Sequence, residues 1–360
     1  MKAHPRTEAH ADVAASERPT NERATSRGGS PRPRGPSRRH LLQAAAAAML
    51  AGASPWSAAA DFPSQTVRIV VPFPPGGGTD AVARLLAEKL APALGQSVLV
   101  DNRPGGNSTI ATRAVAAAAP DGHTLLLTTD IHAINAAYGV GLPYDSLKDF
   151  VAVAQLTTSP LMLLAHPSAG VKTLGELVAA ARAAPNRFAF ASLGSSSPHY
   201  LGFEWFKRMA SIEVIDVPYK GGGPALVDLL GGQVQLSFVV AGNGIKHARA
   251  GKLVALAVTG PTRATAAPEV PTFVESGFPE FTLLNWYAIL APAGTPAAAV
   301  TRLNREIVAA MHGPGVGEKL AAVGLDVATG SPADADALIR RDIERYRRII
   351  ALTGAKPEPR

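Results

Sequence analysis

Cysteine is absent from all 360 residues. That excludes disulfides, thiolate metal centres and cysteine nucleophiles together. A chain of this length holds a core that stands without covalent staples, even in an oxidising compartment. Catalytic signatures are missing too. There is no H-E-x-x-H helix, and no G-x-S-x-G elbow, since Gly194-Ser195-Ser196-Ser197-Pro198 lacks the closing glycine. His132, His166 and His199 are not spaced as metal ligands on one helix.

Charge of one sign is also scarce once the N-terminus is set aside. Nine of the 35 Lys+Arg and four of the 28 Asp+Glu fall in residues 1–60, leaving 26 against 24. The basic balance of the whole chain comes largely from that segment and gives no licence for nucleic-acid binding. Within it, Ser37-Arg38-Arg39-His40-Leu41-Leu42-Gln43 reads as a twin-arginine export signal, followed by an alanine-rich apolar run too short for a comfortable membrane span. Ala58-Ala59-Ala60 supplies the small residues of a cleavage site, placed before Asp61. The expected mature chain is therefore 61–360, exported to the periplasm.

What is present is an alternation of short β-type runs with helical patterns, which argues for α/β architecture. Thr66–Val71 reads as a strand. Val82, Leu85, Leu86 and Leu90 then share a helical face, and Asp80, Arg84 and Glu88 sit four apart, where they can pair. Ser97–Asn102 and His123–Thr129 read as further strands. A second block starts near residue 160 with a strand and a helix opened by a Thr173–Glu176 capping box. Two strand–loop–helix units follow, the later with Pro224 at the first helical position. Helices are expected at 296–311 and 333–352.

Three strand-to-helix loops are rich in glycine or serine: Pro72–Gly78, Gly194–Ser197 and Gly221–Gly223. Such loops suit anion capture. The first helical turn offers unpaired N–H groups and the positive end of a dipole, and glycine lets successive amides converge. A phosphate cradle needs Lys-Ser/Thr after the last glycine, but Thr79-Asp80 stands there. The dinucleotide fingerprint fails on spacing. One such loop alone is equally a turn without a ligand; three across two blocks indicate a cleft for a small anion.

The segments "VRIVVPFPPGGGTDAVARLLAEKL", "VLVDNRPGG", "APDGHTLLLTT", "VPYKGGGPALVDLLGGQV" and "WYAILAPAGTP" occur in an order that resembles the Bug-type, TctC-like substrate-binding proteins of tripartite tricarboxylate transporters. The resemblance covers 62–355. It implies a two-lobe periplasmic-binding-protein fold, type II-like, closing by hinge motion on a ligand cleft between the lobes. Lobe one would be 61–162 plus 285–360, and lobe two 163–284. Implied ligands are di- and tricarboxylates, acidic amino acids or aromatic acids. The implied partners are a transporter's membrane subunits, with no cofactor, no metal, no nucleic acid and a monomeric receptor.

By the same resemblance the ligand is held by Phe73, Pro74, Gly76, Gly77, Gly78, Thr79 and Asp80 in lobe one. Ser195, Ser196, Ser197 and His199 face them in lobe two; Tyr219 and Gly221, with Asp130 on the loop just before "HAIN" and His132 as its first residue, are further candidates for the cleft. The lobe-two loop departs from the family's usual glycine-x-glycine-threonine-proline-serine-histidine, carrying Ser196 at the second glycine and His199-Tyr200 at the end. Asp130 is either a loop cap or a partner for a ligand ammonium; Asp80 suits a helix start better than a carboxylate contact. Tyr219 and Trp286 either shape a ligand or pack the lobes. The rival readings are a receptor signalling to a membrane sensor kinase, and a periplasmic hydrolase or isomerase built on Ser195–Ser197 with His199.

Overall fold

The computed structural model describes residues 62–139 and 141–357; the segment expected to be an export signal, with its expected cleavage site, lies outside them. Strands β1 (Val67–Val71), β2 (Val98–Asn102) and β3 (Thr124–Thr129) are parallel neighbours in the order β2-β1-β3. Crossover helices α1 (Gly78–Leu94) and α2 (Thr109–Ala116) join them, as parallel pairing demands. Val82, Leu86 and Leu90 of α1 are buried against this sheet. After β3 comes α3 (Ile131–Tyr138), which opens directly after Asp130.

The organising element is β4 (Phe150–Ala165), a 16-residue strand. From Phe150 to Pro160 it pairs antiparallel with β9 (Leu284–Pro292), which also borders β3. From Leu161 it changes partners, taking β7 (Leu236–Val240) on one side and β8 (Val254–Val258) on the other. Beyond β7 lie β5 (Ala189–Ser192) and β6 (Ile215–Pro218), all three parallel. One strand thus belongs to two sheets. The partner change sits at a proline, which has no N–H to give a ladder.

The second sheet is wrapped by α4 (Leu174–Ala183), α5 (Pro198–Ala210), α6 (Gly222–Leu230) and α7 (Ala241–Arg249). Thr173 caps α4 by accepting from the Glu176 amide at 3.1 Å, but the Glu176 side chain reaches back to the Lys172 amide rather than to Thr173. Helix α6 starts two residues before Pro224, which therefore occupies its third position. Arg84 pairs with Asp80 at 2.9 Å, whereas Glu88 turns to Lys89. The chain then returns to the first sheet. It forms α8 (Ala297–Met311), α9 (Val316–Ala322), the short β10 (Asp326–Val327) on β4, and α10 (Pro332–Thr353). Ser331 and Asp334 close a reciprocal capping box at the start of α10. This last helix packs on α3, β4 and α5, so it touches elements of both sheets. No helix among the described residues is long and apolar enough to cross a membrane.

Candidate functional site

The Pro72–Gly78 loop leaves β1 with Pro74 to Gly78 exposed, and then buries Thr79 and Asp80. Gly76 sits at φ +88°, a left-handed conformation that glycine adopts without strain. Its amide donates to Asp80 Oδ2 at 3.0 Å, which Arg84 Nε also reaches at 2.9 Å. Asn102 Nδ2 bridges Asp80 Oδ1 and the Phe73 carbonyl at 3.0 and 3.1 Å. The Arg84 hydrogen bond leads in holding the Asp80 carboxyl down to about 2, against the opposing effect of burial, with Gly76 and Asn102 adding to it. Both Asp80 oxygens are thus engaged with the loop's own framework. Behind the loop, the Tyr287 hydroxyl lies where a Cβ on Gly78 would meet it at 3.4 Å, and it bonds the Thr79 side chain.

On the second sheet, Gly194 (φ +85°) turns the chain out of β5. Ser197 caps α5, its hydroxyl accepting from the Tyr200 amide at 3.2 Å and donating to the Gly194 carbonyl at 2.7 Å. Ser196 is buried beside it. His199, in the first turn of α5, is partly exposed as a residue while its ring is enclosed; Nδ1 is buried without a partner. Burial pushes its imidazole down to about 4, so the ring is neutral at pH 7. Gly221, at φ +117°, precedes the first turn of α6. The Tyr219 hydroxyl is committed to Asp228 Oδ2 at 2.7 Å, and burial followed by this bond pushes it up to about 12.

A cavity of about 470 Å³ lies at this end of the sheet. Three helix starts converge on its wall: His199 from α5, Gly222 and Gly223 from α6, and Asn243 from α7. Lys246, which carries the charge, and His247 of α7 complete its lining. The lobe-one glycine loop does not line it, so the structure brings His199 and the 221–223 loop together without Phe73–Asp80. Asn243 and Lys246 escaped sequence reading. The available signal was a third strand followed by small residues and a lysine, "LSFVVAGNGIK".

Asp130 and His132 lie elsewhere. His132 is buried, stacked near Tyr144 and edge-on to Phe150, with Nε2 at 2.9 Å from the Ser146 carbonyl. It braces α3 from the core. Asp130 is 3% exposed, and its Oδ2 has no hydrogen-bond partner. Burial first, then repulsion from Asp342, pushes its carboxyl up to about 8. Trp286, which the sequence offered as a ligand platform or as packing, is buried and donates to Asp342 Oδ2 at 2.7 Å. No cluster of three or more metal-type ligands occurs among the described residues.

Three contacts tie the two sheets together near the cavity. Tyr138 Oη donates to the Ser195 carbonyl at 2.7 Å, Lys246 Nζ donates to the Ala322 carbonyl at 3.0 Å, and Gly242 abuts Gly324.

The profile of the family described as "Tripartite tricarboxylate transporter family receptor" matches residues 82–354. The chain belongs to this family. It is 38% identical to Protein BugT of Bordetella pertussis over 301 residues, 82% of this chain and 91% of that one. Among solved structures, "R. palustris Rpa4515 with adipate" is 34% identical with a TM-score of 0.73, covering 83% of this chain and all of the other. The Rhodopseudomonas palustris protein MatC "with bound malate" is 34% identical with a TM-score of 0.70, covering 80% of this chain and all of the other. The periplasmic binding protein BugD is 29% identical with a TM-score of 0.71, covering 82% and 100%. The fold expectation therefore holds: this is a periplasmic-binding-protein architecture of the TctC type. The family is one of periplasmic solute receptors rather than enzymes.

Proposed function

We propose that this receptor captures a small organic carboxylate and presents it to the membrane subunits of a tripartite tricarboxylate-type transporter. The observation that carries the reading is the convergence of the α5, α6 and α7 starts on one cavity. Each brings the positive end of a helix dipole, and Lys246 adds a full charge. About 470 Å³ is an ordinary size for a small-molecule site. Relatives solved with adipate and malate support the ligand class.

In this reading the two sheets act as lobes, 61–162 with 285–360 and 163–284, hinged where β4 changes partners. Closure brings the Phe73–Asp80 loop over the cavity, with Ser195 and Tyr219 at its rim. Helix dipoles contribute about 0.3–1 kcal/mol each. A micromolar affinity needs about 8 kcal/mol, so charge-assisted hydrogen bonds at about 1.5–3 kcal/mol each supply most of it. Within the carboxylates we favour di- and tricarboxylic acids over acidic amino acids. A ligand ammonium would need Asp130 ionised, and that carboxyl is buried and protonated near neutral pH.

The hydrolase reading finds less support. The Ser197 hydroxyl serves as a helix cap, and no carboxylate orients His199 among the described residues.

The test is a thermal-shift screen of protein unfolded and refolded to strip carried ligand. A ligand at about 100 times its Kd adds about 2.7 kcal/mol, or roughly 5–10 °C for a chain this size. A shift of that order with one class of organic acid is expected. A folded protein that responds to no carboxylate sinks the reading.

A further inference from the structure

Away from the cavity, a groove of about 440 Å³ runs between α10 and α5. One wall carries Arg341, Arg345 and Arg348, spaced three and four apart on one face of α10. The other is built by Trp205 of α5 with Glu280 from the segment entering β9, and Leu352 closes one end. The charges on α10 do not balance locally. Its four acids are all engaged: Asp334 in the capping box, Asp336 with Arg340, Asp342 with Trp286 and Arg345, and Glu344 with Arg347. Arg341 and Arg348 line the groove and make no hydrogen bond or close ion pair among the described residues; Arg341 acts on Asp342 through its charge alone. Beside them Leu352 is 58% exposed, and the half-buried Trp205 lies against Phe281, 5.0 Å away between ring centres.

We propose that this groove is a docking site for an acidic segment of a partner protein, one that presents carboxylates beside a large apolar side chain; the partner's place in transport rests on the receptor reading above. Two guanidiniums whose N–H forks are hydrogen-bonded to no acid supply charge complementarity for bidentate carboxylate contacts. An exposed leucine next to a half-buried tryptophan gives the aromatic and apolar anchor that protein interfaces use and a free inorganic or small organic anion does not. Glu280 on the facing wall selects further against small anions, which cannot avoid it, whereas a segment can place its acids along the arginine side alone.

The position of the groove adds a consequence. Trp205 rides on a helix of the second sheet, whereas α10 also packs on α3 and β4. A segment seated between them spans elements of both sheets, and its fit depends on how those elements are set. The groove thus offers a partner a surface whose shape changes with lobe closure.

The direct test is fluorescence anisotropy of a labelled octapeptide of alternating Glu and Leu with the purified protein. Lys–Leu and Glu–Ser peptides serve as controls, against wild type, R341E/R348E and R341K/R348K. The expected result is saturable binding of the Glu–Leu peptide alone, weakened at least tenfold by R341E/R348E and less by the lysine pair, with the carboxylate-induced Tm shift kept in both variants. Absence of binding, equal binding to R341E/R348E, or equal binding of the Glu–Ser peptide overturns the proposal. So does preferential, arginine-dependent binding to anionic lipid vesicles.

In cells carrying a tripartite transporter's membrane subunits, R341E/R348E should lower carboxylate uptake at least tenfold with an unchanged Kd for the ligand. If wild type drives no uptake, the transporter reading fails and the peptide titration still judges the groove. If wild type drives uptake and the variant matches it, the groove proposal fails alone.

Discussion

Gly242 and Gly324 approach so closely that a Cβ on Gly242 would lie 2.3 Å from the Gly324 Cα. The first opens α7 on the second sheet; the second ends the turn between α9 and β10 on the first. Lys246 bonds to Ala322 in the same neighbourhood, so side chain and backbone of the two sheets meet here.

Gly242→Ala is therefore expected to hold the halves apart. In an isolated helix the change would be favourable by about 1 kcal/mol, and Gly242 has no left-handed φ to strain. Any loss must come from the collision with backbone, which cannot yield as a flexible side chain would. Overpacking of this kind costs about 1–3 kcal/mol. We expect at least a tenfold weaker carboxylate Kd by calorimetry and a larger radius of gyration with ligand present. An unchanged Kd and radius would show that the contact is not part of the bound form.

Tyr138→Phe tests the second bridge. It removes a 2.7 Å hydrogen bond to the Ser195 carbonyl with little change of shape. A neutral hydrogen bond contributes about 0.5–1.5 kcal/mol, so ligand affinity should fall about two- to tenfold. The change in Tm without ligand should be small. A Tm loss of several degrees without any change in affinity would assign the bond to folding rather than closure.

Much of this arrangement was legible in the sequence and some was not, for definite reasons. The glycine loop before α1 announces itself because positive φ and a helix start leave few residue choices at Gly76 and Asp80. Helix α7 stayed hidden because Ala241-Gly242-Asn243-Gly244 is a poor helix-forming run, tolerated here because a side chain at 242 would not fit. The first half of β4 is a run of small and apolar residues without strict alternation, since much of it is buried. The assignment of His132 and Asp130 to the ligand could not be weighed locally. Their surroundings, Tyr144 with Phe150 in one case and Asp342 in the other, come from chain segments 12 to 212 positions away. Period and motif are blind to such pairs.

Asp80 predicts a loss of loop order. Its carboxylate gathers Gly76, Arg84 and Asn102 around the glycine turn. Asp80→Ala leaves the Gly76 amide without its acceptor and Asn102 with the Phe73 carbonyl alone, at a cost of about 2–4 kcal/mol. The held-down carboxyl contributes stability above its unfolded value near 3.8 that is lost as pH falls towards about 2. Wild type should therefore lose Tm faster than Asp80→Ala when pH is lowered from 4 to about 2. Parallel acid profiles would exclude this role for Asp80.

Asp130 predicts the opposite slope at higher pH. Its carboxyl is raised from 3.8 to about 8 by burial and by Asp342. The groups around it, Tyr287, Tyr346 and Asp342, bring no cation against it; Arg345 acts on Asp342 at 3.1 Å. A group raised in the folded state stabilises fully below the unfolded value, and that contribution drains away as pH rises through the folded one. Between about pH 4 and 8 each unit should cost the wild type at most about 1.4 kcal/mol. Asp130→Asn keeps the shape, removes the titration and relieves Asp342. It should melt higher than wild type at pH 8 and gain least near pH 4. The measurement is Tm across that range for both proteins. A difference that does not vary with pH would mean Asp130 is already ionised in the fold, and would return it to the candidates for holding a ligand ammonium.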